Sequence, residues 1–567
     1  MVLKGKSAAP GAAAGRIFIF SEERYIPAEG LIASGEEKQH LDRYLKIKKQ
    51  AMDELEKIRL SMEKTDPVKA PIFNAQKEIA DDIIINDDIK SKILNDRWTA
   101  DRAVYNVYEN VLELLRKTQD PLIAERAADF ADVRSLLLRL WRGDNKNLSE
   151  INEPVIIAAK EIMPSLIAGN KEKILAVITE TGGITSHAAV IAKSYSIPAV
   201  FGIDCLLNTV KQDQSAAVDA DSGIVICDPD ENVLKEFKIK CEALRRDRED
   251  ALKYKFGEGR TSCGVKIDIG LNIQSAGDEE LDACEYTDSV GVFRTEFIYM
   301  GRNDLPDENE QFTVYKKALE RFGNRPVILR TLDIGGDKKL SCMKLPEEEN
   351  PFLGNRALRF CFSNPDIFKT QLRAALRASV YGNLWLMLPM VASLDDIRRA
   401  KEFIASVRCD LEKENIPYNK DFKTGIMIEI PSIALTAELA AKEVDFASIG
   451  SNDLCQYLCA ADRVNVSVEN YYQSYHPAMF ALIKKIVAAF DDAGKPVSLC
   501  GEIGGDPGAC ALLIGLGLRK LSMGAASVAA VKRAVALLTI KKAKETADKA
   551  LKMETAGDIE RFLGIKK

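Results

Sequence analysis

Histidine is nearly missing from this chain. His40, His187 and His476 are the only three in 567 residues, so a zinc site built from imidazoles is not expected. Cysteine is absent before Cys205, and none of the 12 forms a Cys-x-x-Cys. Disulfides are not expected in a long chain of cytosolic character. Cys455 and Cys459 are spaced as neighbours on one helix face, which reads as packing rather than a metal site. No run of about eighteen apolar residues occurs, which excludes a membrane-spanning helix. The opening MVLKGKSAAPGAAAG lacks the apolar core of a secretory signal, so a cytoplasmic location is expected. Basic excess is also missing. The net charge of −6 argues against non-specific nucleic-acid binding and suits a basic protein partner.

What is present is length and alternation. The chain is too long for one core, and about three domains are expected. Residues 21–145 carry helical periodicity, as in Leu41, Leu45, Met52 and Leu55, or Val104, Val107, Tyr108, Val111, Leu112 and Leu115. They read as an all-α insertion of antiparallel helices. It divides an α/β domain made of residues 1–20, with a strand at Gly15–Phe20, and 146–230. Residues 231–258 are charged and free of proline, and predict a linker helix. From 259 to 567 strand-like and helix-like runs alternate. Eight strands are predicted at Lys266–Asn272, Val290–Phe293, Val327–Leu332, Leu384–Pro389, Gly425–Ile430, Phe446–Gly450, Val497–Cys500 and Lys520–Met523. Eight such repeats favour a (β/α)8 TIM barrel over an open sheet.

Two stretches carry chemistry. In TETGGITSHAAVIAKSYSIPAVFG an apolar strand runs into Gly182 and Gly183, then the capping residues Thr185 and Ser186, then a helix. His187 stands on its first turn. Free N–H groups and positive potential there keep an imidazole neutral and welcome an anion. Such a histidine either hydrogen-bonds near the cap or acts as a nucleophile that can hold a phosphoryl group. His40 reads as a solvated residue and His476 as a loop residue before proline.

The second stretch is the set of C-terminal strand ends, where TIM barrels place their active sites. Arg294, Arg330 with Asp333, Glu429, Asn452 with Asp453, then Arg463, and Cys500 with Glu502 all fall there, and Arg356 stands in the loop motif NPFLGNR. Several guanidiniums suit a ligand bearing phosphate and carboxylate. Glu429 and Asp453 suit Mg²⁺, which takes few protein oxygens. Buried arginine–carboxylate pairs would alone explain part of the pattern. The Cys500 thiol is protonated at neutral pH and can donate to a carbanion-like carbon.

The segment GGITSHAAVIAKSYSIPAV, the opening KGKSAAPGAAAG, and FRTEFIYM, RTLDIGGDK, ENPFLGNRALR, QLRAALRAS, IGSNDL, CQYLCAADR and LCGEIGGD resemble the enzyme I family of the phosphoenolpyruvate–sugar phosphotransferase system. The resemblance runs from near residue 2 to about 535. It implies phosphorylation of His187 by phosphoenolpyruvate with Mg²⁺, release of pyruvate, and phosphoryl transfer to a histidine of the carrier protein HPr. It implies that Arg294, Arg330 and Arg463 grip the substrate phosphate, with Arg356 a further contact. Asn452 and the backbone of Asp453 touch substrate, Glu429 and Asp453 hold Mg²⁺, and Cys500 is the acid. It also implies a homodimer. One histidine must meet both a barrel-bound substrate and a second protein, so the phosphohistidine domain is expected to swing about the linker. ERAAD and ADVR, with Arg126 and Asp132, match the family in the helical part. An acidic cluster, Glu78, Asp81, Asp82, Asp87 and Asp88, lies beside Ile72, Phe73 and Ile79 and suits a basic carrier. The family commonly has Arg at Ile184, His at Gln76, and Thr at Ser451 and Cys455. Phosphoenolpyruvate synthase or the dikinase is the alternative enzyme, although the ATP domain it needs has no room here. A regulatory binding protein is the alternative outside catalysis.

Overall fold

The computed structural model describes residues 1–20, 27, 30–63, 71–116, 121–142, 153–183, 186–195, 197–300, 302, 304–336, 340, 343, 346 and 348–565. Ile184 and Thr185 lie outside them. The chain divides into two compact units, Met1–Arg246 and Asp247–Lys566.

The first unit is built on an eight-stranded sheet. Its strands are β1 (Val2–Lys4), β2 (Lys6–Ala9), β3 (Ala12–Phe20), β4 (Val155–Ala159), β5 (Ile174–Thr179), β6 (Ala199–Phe201), β7 (Ser215–Asp219) and β8 (Ile224–Cys227), in the order β1-β8-β7-β3-β4-β5-β6-β2. β3 holds it together by changing partners along its length. Ala12–Arg16 pair antiparallel with β7, and Ile17–Phe20 pair parallel with β4. Gly15 sits at the changeover, where a Cβ would come within 2.5 Å of the Leu175 side chain. β1 and β2 were not expected from the sequence, which reads there as a loop before β3. They form the two edges of the sheet and pair antiparallel with β8 and β6.

Among the described residues, five helices fall in the stretch expected to be helical: Glu37–Glu63, Pro71–Asp81, Ile83–Leu94, Ala100–Arg116 and Pro121–Arg142. Their apolar faces share a core with one side of the sheet, in which Tyr44, Phe73, Ile89, Tyr108 and Leu136 meet Phe20, Ile157 and Val177. Each such aliphatic or aromatic side chain contributes about 1.5–3 kcal/mol by leaving water. The core also holds polar groups with partners. The Tyr44 hydroxyl donates to Asn86 Oδ1 at 2.6 Å, and Asn86 Nδ2 donates to the Ala80 carbonyl at 3.1 Å.

His40 differs from its expected solvated role. Its Nδ1 accepts the Ala100 N–H at 3.4 Å at the start of a helix, and its ring stacks on Trp141. The linker helix runs Glu231–Leu252, shorter than the 231–258 expected, and the chain turns at Lys253–Phe256.

In the second unit β9 (Asp268–Ile273), β10 (Ser289–Arg294), β11 (Pro326–Arg330), β12 (Asn383–Leu388), β13 (Lys423–Ile428), β14 (Phe446–Ile449), β15 (Val497–Leu499) and β16 (Lys520–Met523) close into a parallel barrel, β16 pairing with β9. This is the TIM-like architecture expected. Val292, Ile328, Trp385, Met387, Met427, Phe446 and Cys500 fill the interior. Small residues make room where strands crowd: a Cβ on Gly291 would stand 2.1 Å from that of Ser522. A pocket lined by Gly270, Gly291, Trp385, Phe446 and Ser498 opens among the N-terminal strand ends, away from the charged residues considered next.

Candidate active site

In the first unit the turn after β5 brings Gly182 to φ +115°, a conformation that favours glycine, and a Cβ there would stand 3.3 Å from the Phe201 ring. Ser186 is the N-cap of the helix His187–Ser194, and its Oγ accepts the Ala189 N–H at 3.3 Å. His187 is therefore the first residue of that helix, as the sequence predicts.

In the second unit the expected barrel residues stand together at the C-terminal strand ends. Arg294 and Arg330 are the last residues of β10 and β11, and Glu429 follows β13. Asn452 and Asp453 lie in the first turn of the helix Ser451–Cys459 after β14. Arg463 follows that helix, and Cys500 follows β15. A continuous chain of charge links most of them. Arg330 donates to Glu296, and its Nη1 stands 3.0 Å from Asp333 Oδ2. Asp333 accepts Arg356 Nε and Nη2 at 3.0 and 3.2 Å. Arg356 Nη1 reaches Asp453 Oδ1 at 3.0 Å, and Arg463 Nη1 lies 3.6 Å from Asp453 Oδ2.

This network is buried. Glu296, Asp333, Arg356 and Glu429 are 0% exposed. Charges cannot stay in such a place unless paired. The carboxylates keep both Arg330 and Arg356 charged despite their burial. Glu429 is the exception to the pairing. Its Oε1 accepts the Met390 N–H at 2.7 Å, while its buried Oε2 has no hydrogen-bond partner. Burial, and then the negative charge of Asp453 and Asp333, push its carboxyl up to about 8. Gly450 leaves space beside that oxygen, since a Cβ there would approach Oε2 to 2.8 Å.

Cys500 is buried, with its Sγ 3.6 Å from the Ile449 carbonyl. Burial pushes the thiol up, against the nearby positive charge of Arg330 and Arg294. Its thiol is thus kept in the protonated form. Asn452 is fixed by its Oδ1, which accepts the Glu502 N–H at 3.1 Å.

The sequence had not singled out Glu296 or Tyr457. Glu296 lies inside FRTEF, two residues past Arg294. Tyr457 accepts from Arg356 Nη1 at 3.2 Å and donates to the Phe352 carbonyl at 2.6 Å, tying the NPFLGNR loop to the helix of Asp453. His476 caps the helix Pro477–Asp492, where its Nδ1 accepts the Ala478 N–H at 3.2 Å.

Gln76 is buried, and its Nε2 donates to Asp132 at 3.3 Å and Asp129 at 3.5 Å, joining two helices. The acidic cluster is largely engaged. Asp82 caps the helix Ile83–Leu94, Asp81 pairs with Lys48 at 2.7 Å, and Asp87 pairs with Lys90 at 2.8 Å.

Three family models match along the chain: PEP-utilising enzyme, N-terminal, over residues 4–126; PEP-utilising enzyme, mobile domain, over 151–223; and PEP-utilising enzyme, PEP-binding domain, over 249–540. Together with the barrel and its charged rim they define the class, the PEP-utilising enzymes. Among curated relatives, the phosphoenolpyruvate-protein phosphotransferase of Staphylococcus carnosus is 39% identical over 509 residues, covering 89% of each chain. That of Mycoplasma capricolum is 36% identical over 564 residues, covering 99% of this chain and 98% of its own. That of Geobacillus stearothermophilus is 39% identical over 516 residues, covering 90% and 89%. The chain belongs to the phosphoenolpyruvate-protein phosphotransferase family.

Proposed function

We propose that this enzyme transfers the phosphoryl group of phosphoenolpyruvate through His187 to a histidine of a carrier protein of the HPr kind. The observation that carries the reading is the near full-length likeness to phosphoenolpyruvate-protein phosphotransferases. The arginine–carboxylate cluster at the barrel's C-terminal rim supports it.

Arg294, Arg330 and Arg463 hold the substrate phosphate, with Arg356 beside them, each guanidinium able to chelate two oxygens. Asn452 and the backbone of Asp453 orient the substrate. A ring nitrogen of His187 attacks phosphorus in line, and the bond to the enol oxygen breaks. The electron pair moves to C3, where Cys500 delivers its proton and pyruvate leaves. The thiolate then regains a proton from solvent. The helix N-terminus at His187 favours the negative phosphoryl group it now carries.

Glu429 and Asp453 would hold Mg²⁺. The bare Oε2 of Glu429 and a carboxyl raised by burial and by like charges fit a hard cation that takes oxygen ligands. When bound, the ion supplies positive charge to the phosphoryl oxygens.

One histidine serves two partners, so the phosphohistidine domain (1–20 and 146–230) reorients about the linker helix, while the helical domain (21–145) receives the carrier. The barrel domain (259–567) binds phosphoenolpyruvate and forms the homodimer. The setting is cytoplasmic, which suits the free described cysteines. Among the described residues no helix is long and apolar enough to cross a membrane.

The test mixes the protein with phosphoenolpyruvate, Mg²⁺ and HPr, without ATP. Label on HPr with one pyruvate per transfer supports the reading. Transfer that requires ATP would instead point to a synthase-like or dikinase-like enzyme, and phosphoenolpyruvate binding without transfer to a regulatory protein.

A further inference from the structure

The helix that presents Asn452 and Asp453 carries two thiols, Cys455 at its middle and Cys459 at its end. They are the most closely spaced cysteines in the sequence. Residues four apart stack on one helix face. Cys455 is buried and Cys459 partly exposed, and the two thiols are within hydrogen-bonding reach of each other. Cys455 also takes hydrogen bonds from the Gln473 backbone and from Ser474. Burial, and then the neighbouring Cys459, push the Cys455 thiol up to about 12, so Cys455 starts as a thiol.

Geometry restricts what this pair can do. Helical neighbours four apart hold their Cβ atoms about 5–6 Å apart, whereas a disulfide needs about 3.5–4.5 Å. Direct S–S closure would unwind the last helical turn. That turn is pinned, because the Arg463 N–H donates to Gln456 Oε1 at 3.0 Å and Ala460 closes the helix at φ 52°. One soft atom between the two sulfurs spans the wider gap with the helix intact, and thiolates are the ligands such atoms select.

We propose that Cys455 and Cys459 form a two-sulfur site for a trivalent thiophilic metalloid, of the monosubstituted arsenoxide class, reached from the Cys459 side. Each thiol loses its hydrogen, the arsenic–oxygen bonds break, two arsenic–sulfur bonds form, and one water leaves. Arsenic stays trivalent, so no oxidant is needed. The bridge locks the helix that positions Asn452 and Asp453, and so couples a thiol site to the barrel rim.

Phenylarsine oxide on the full-length protein tests this. The expected result is one equivalent retained through gel filtration, two titratable thiols lost, and release by 2,3-dimercaptopropanol but not by 2-mercaptoethanol. Cys459→Ser and Cys455→Ser should each lose the retained equivalent. Should Cys455→Ser fail to fold, Cys459→Ser and the dithiol–monothiol comparison decide. Retention in Cys459→Ser, peptide mapping of arsenic to other cysteines, or stripping by the monothiol would overturn the proposal. Binding is read by mass and thiol count, so the result stands apart from the assignment of phosphoryl transfer. Where transfer is measured, the adduct should lower it more than tenfold in the wild type and leave Cys459→Ser unaffected.

Discussion

Asp333 and Arg356 lie side by side in the barrel rim, both sealed from solvent, with two guanidinium nitrogens on two carboxylate oxygens at 3.0 and 3.2 Å. The same carboxylate holds Arg330 at 3.0 Å. One aspartate therefore sets the positions of two candidate substrate arginines. Asp333→Asn leaves two buried cations short of charge, and breaking such pairs costs about 3–5 kcal/mol. The expected outcome is a KM for phosphoenolpyruvate raised at least about tenfold, the equivalent of about 1.4 kcal/mol, in protein that still folds. An unchanged KM with normal stability would show that Asp333 does not set the arginines.

Glu429 predicts a pH signature in metal-free protein. Its carboxyl is raised in the folded barrel to about 8, from 4.5. Between those values the folded state holds a proton that the unfolded chain has released. Its contribution to stability is thus fully present below pH 4.5 and is lost as pH rises through about 8. Glu429→Gln removes the titration. Thermal unfolding in EDTA should show the variant gaining on the wild type by about 2 °C or more near pH 8.5, with a smaller difference near pH 5. An equal difference at both pH values would contradict the burial argument.

Cys500→Ala separates binding from proton delivery. Loss of a positioned general acid typically costs about 10²–10⁴ in rate. Pyruvate formation should slow within that range while phosphoenolpyruvate affinity changes little. Because burial raises the thiol, the wild-type rate should not fall through the ordinary cysteine range near pH 8.5. A fall there would mean that a different proton donor operates.

Gln76 links two helices through Asp129 and Asp132. Gln76→Ala removes a donor from the half-buried carboxylates of Asp129 and Asp132, and a hydrogen bond to a charged group contributes about 1.5–3 kcal/mol. Phosphoryl transfer to the carrier should slow, while exchange between phosphoenolpyruvate and pyruvate stays at the wild-type rate. Parallel loss of both would remove the helical region from carrier docking.

The barrel was legible in the sequence because buried parallel strands read as uninterrupted apolar runs, and each predicted strand overlaps an observed one. β1 and β2 were not legible. VLK and KSAA are short edge segments whose strand state comes from their partners β8 and β6 rather than from their own residues. The linker helix reads as breaker-free to Phe256, yet stops at Leu252. Beyond it Lys532 Nζ draws in the Lys255 and Gly257 carbonyls at 3.0 and 2.7 Å, a tertiary cause that no local pattern displays. The charged rim was visible as residue types at strand ends. Which carboxylate meets which guanidinium was not, because Asp333, Arg356 and Asp453 are distant in sequence. For the same reason the parts that Glu296 and Tyr457 play are not legible in the sequence.

The most direct test is labelling with ³²P-phosphoenolpyruvate and Mg²⁺ in the absence of carrier, followed by peptide mapping. The account predicts acid-labile, base-stable label on the peptide containing His187, and none in His187→Ala. Label that persists in that variant, or that maps to another residue, would contradict it.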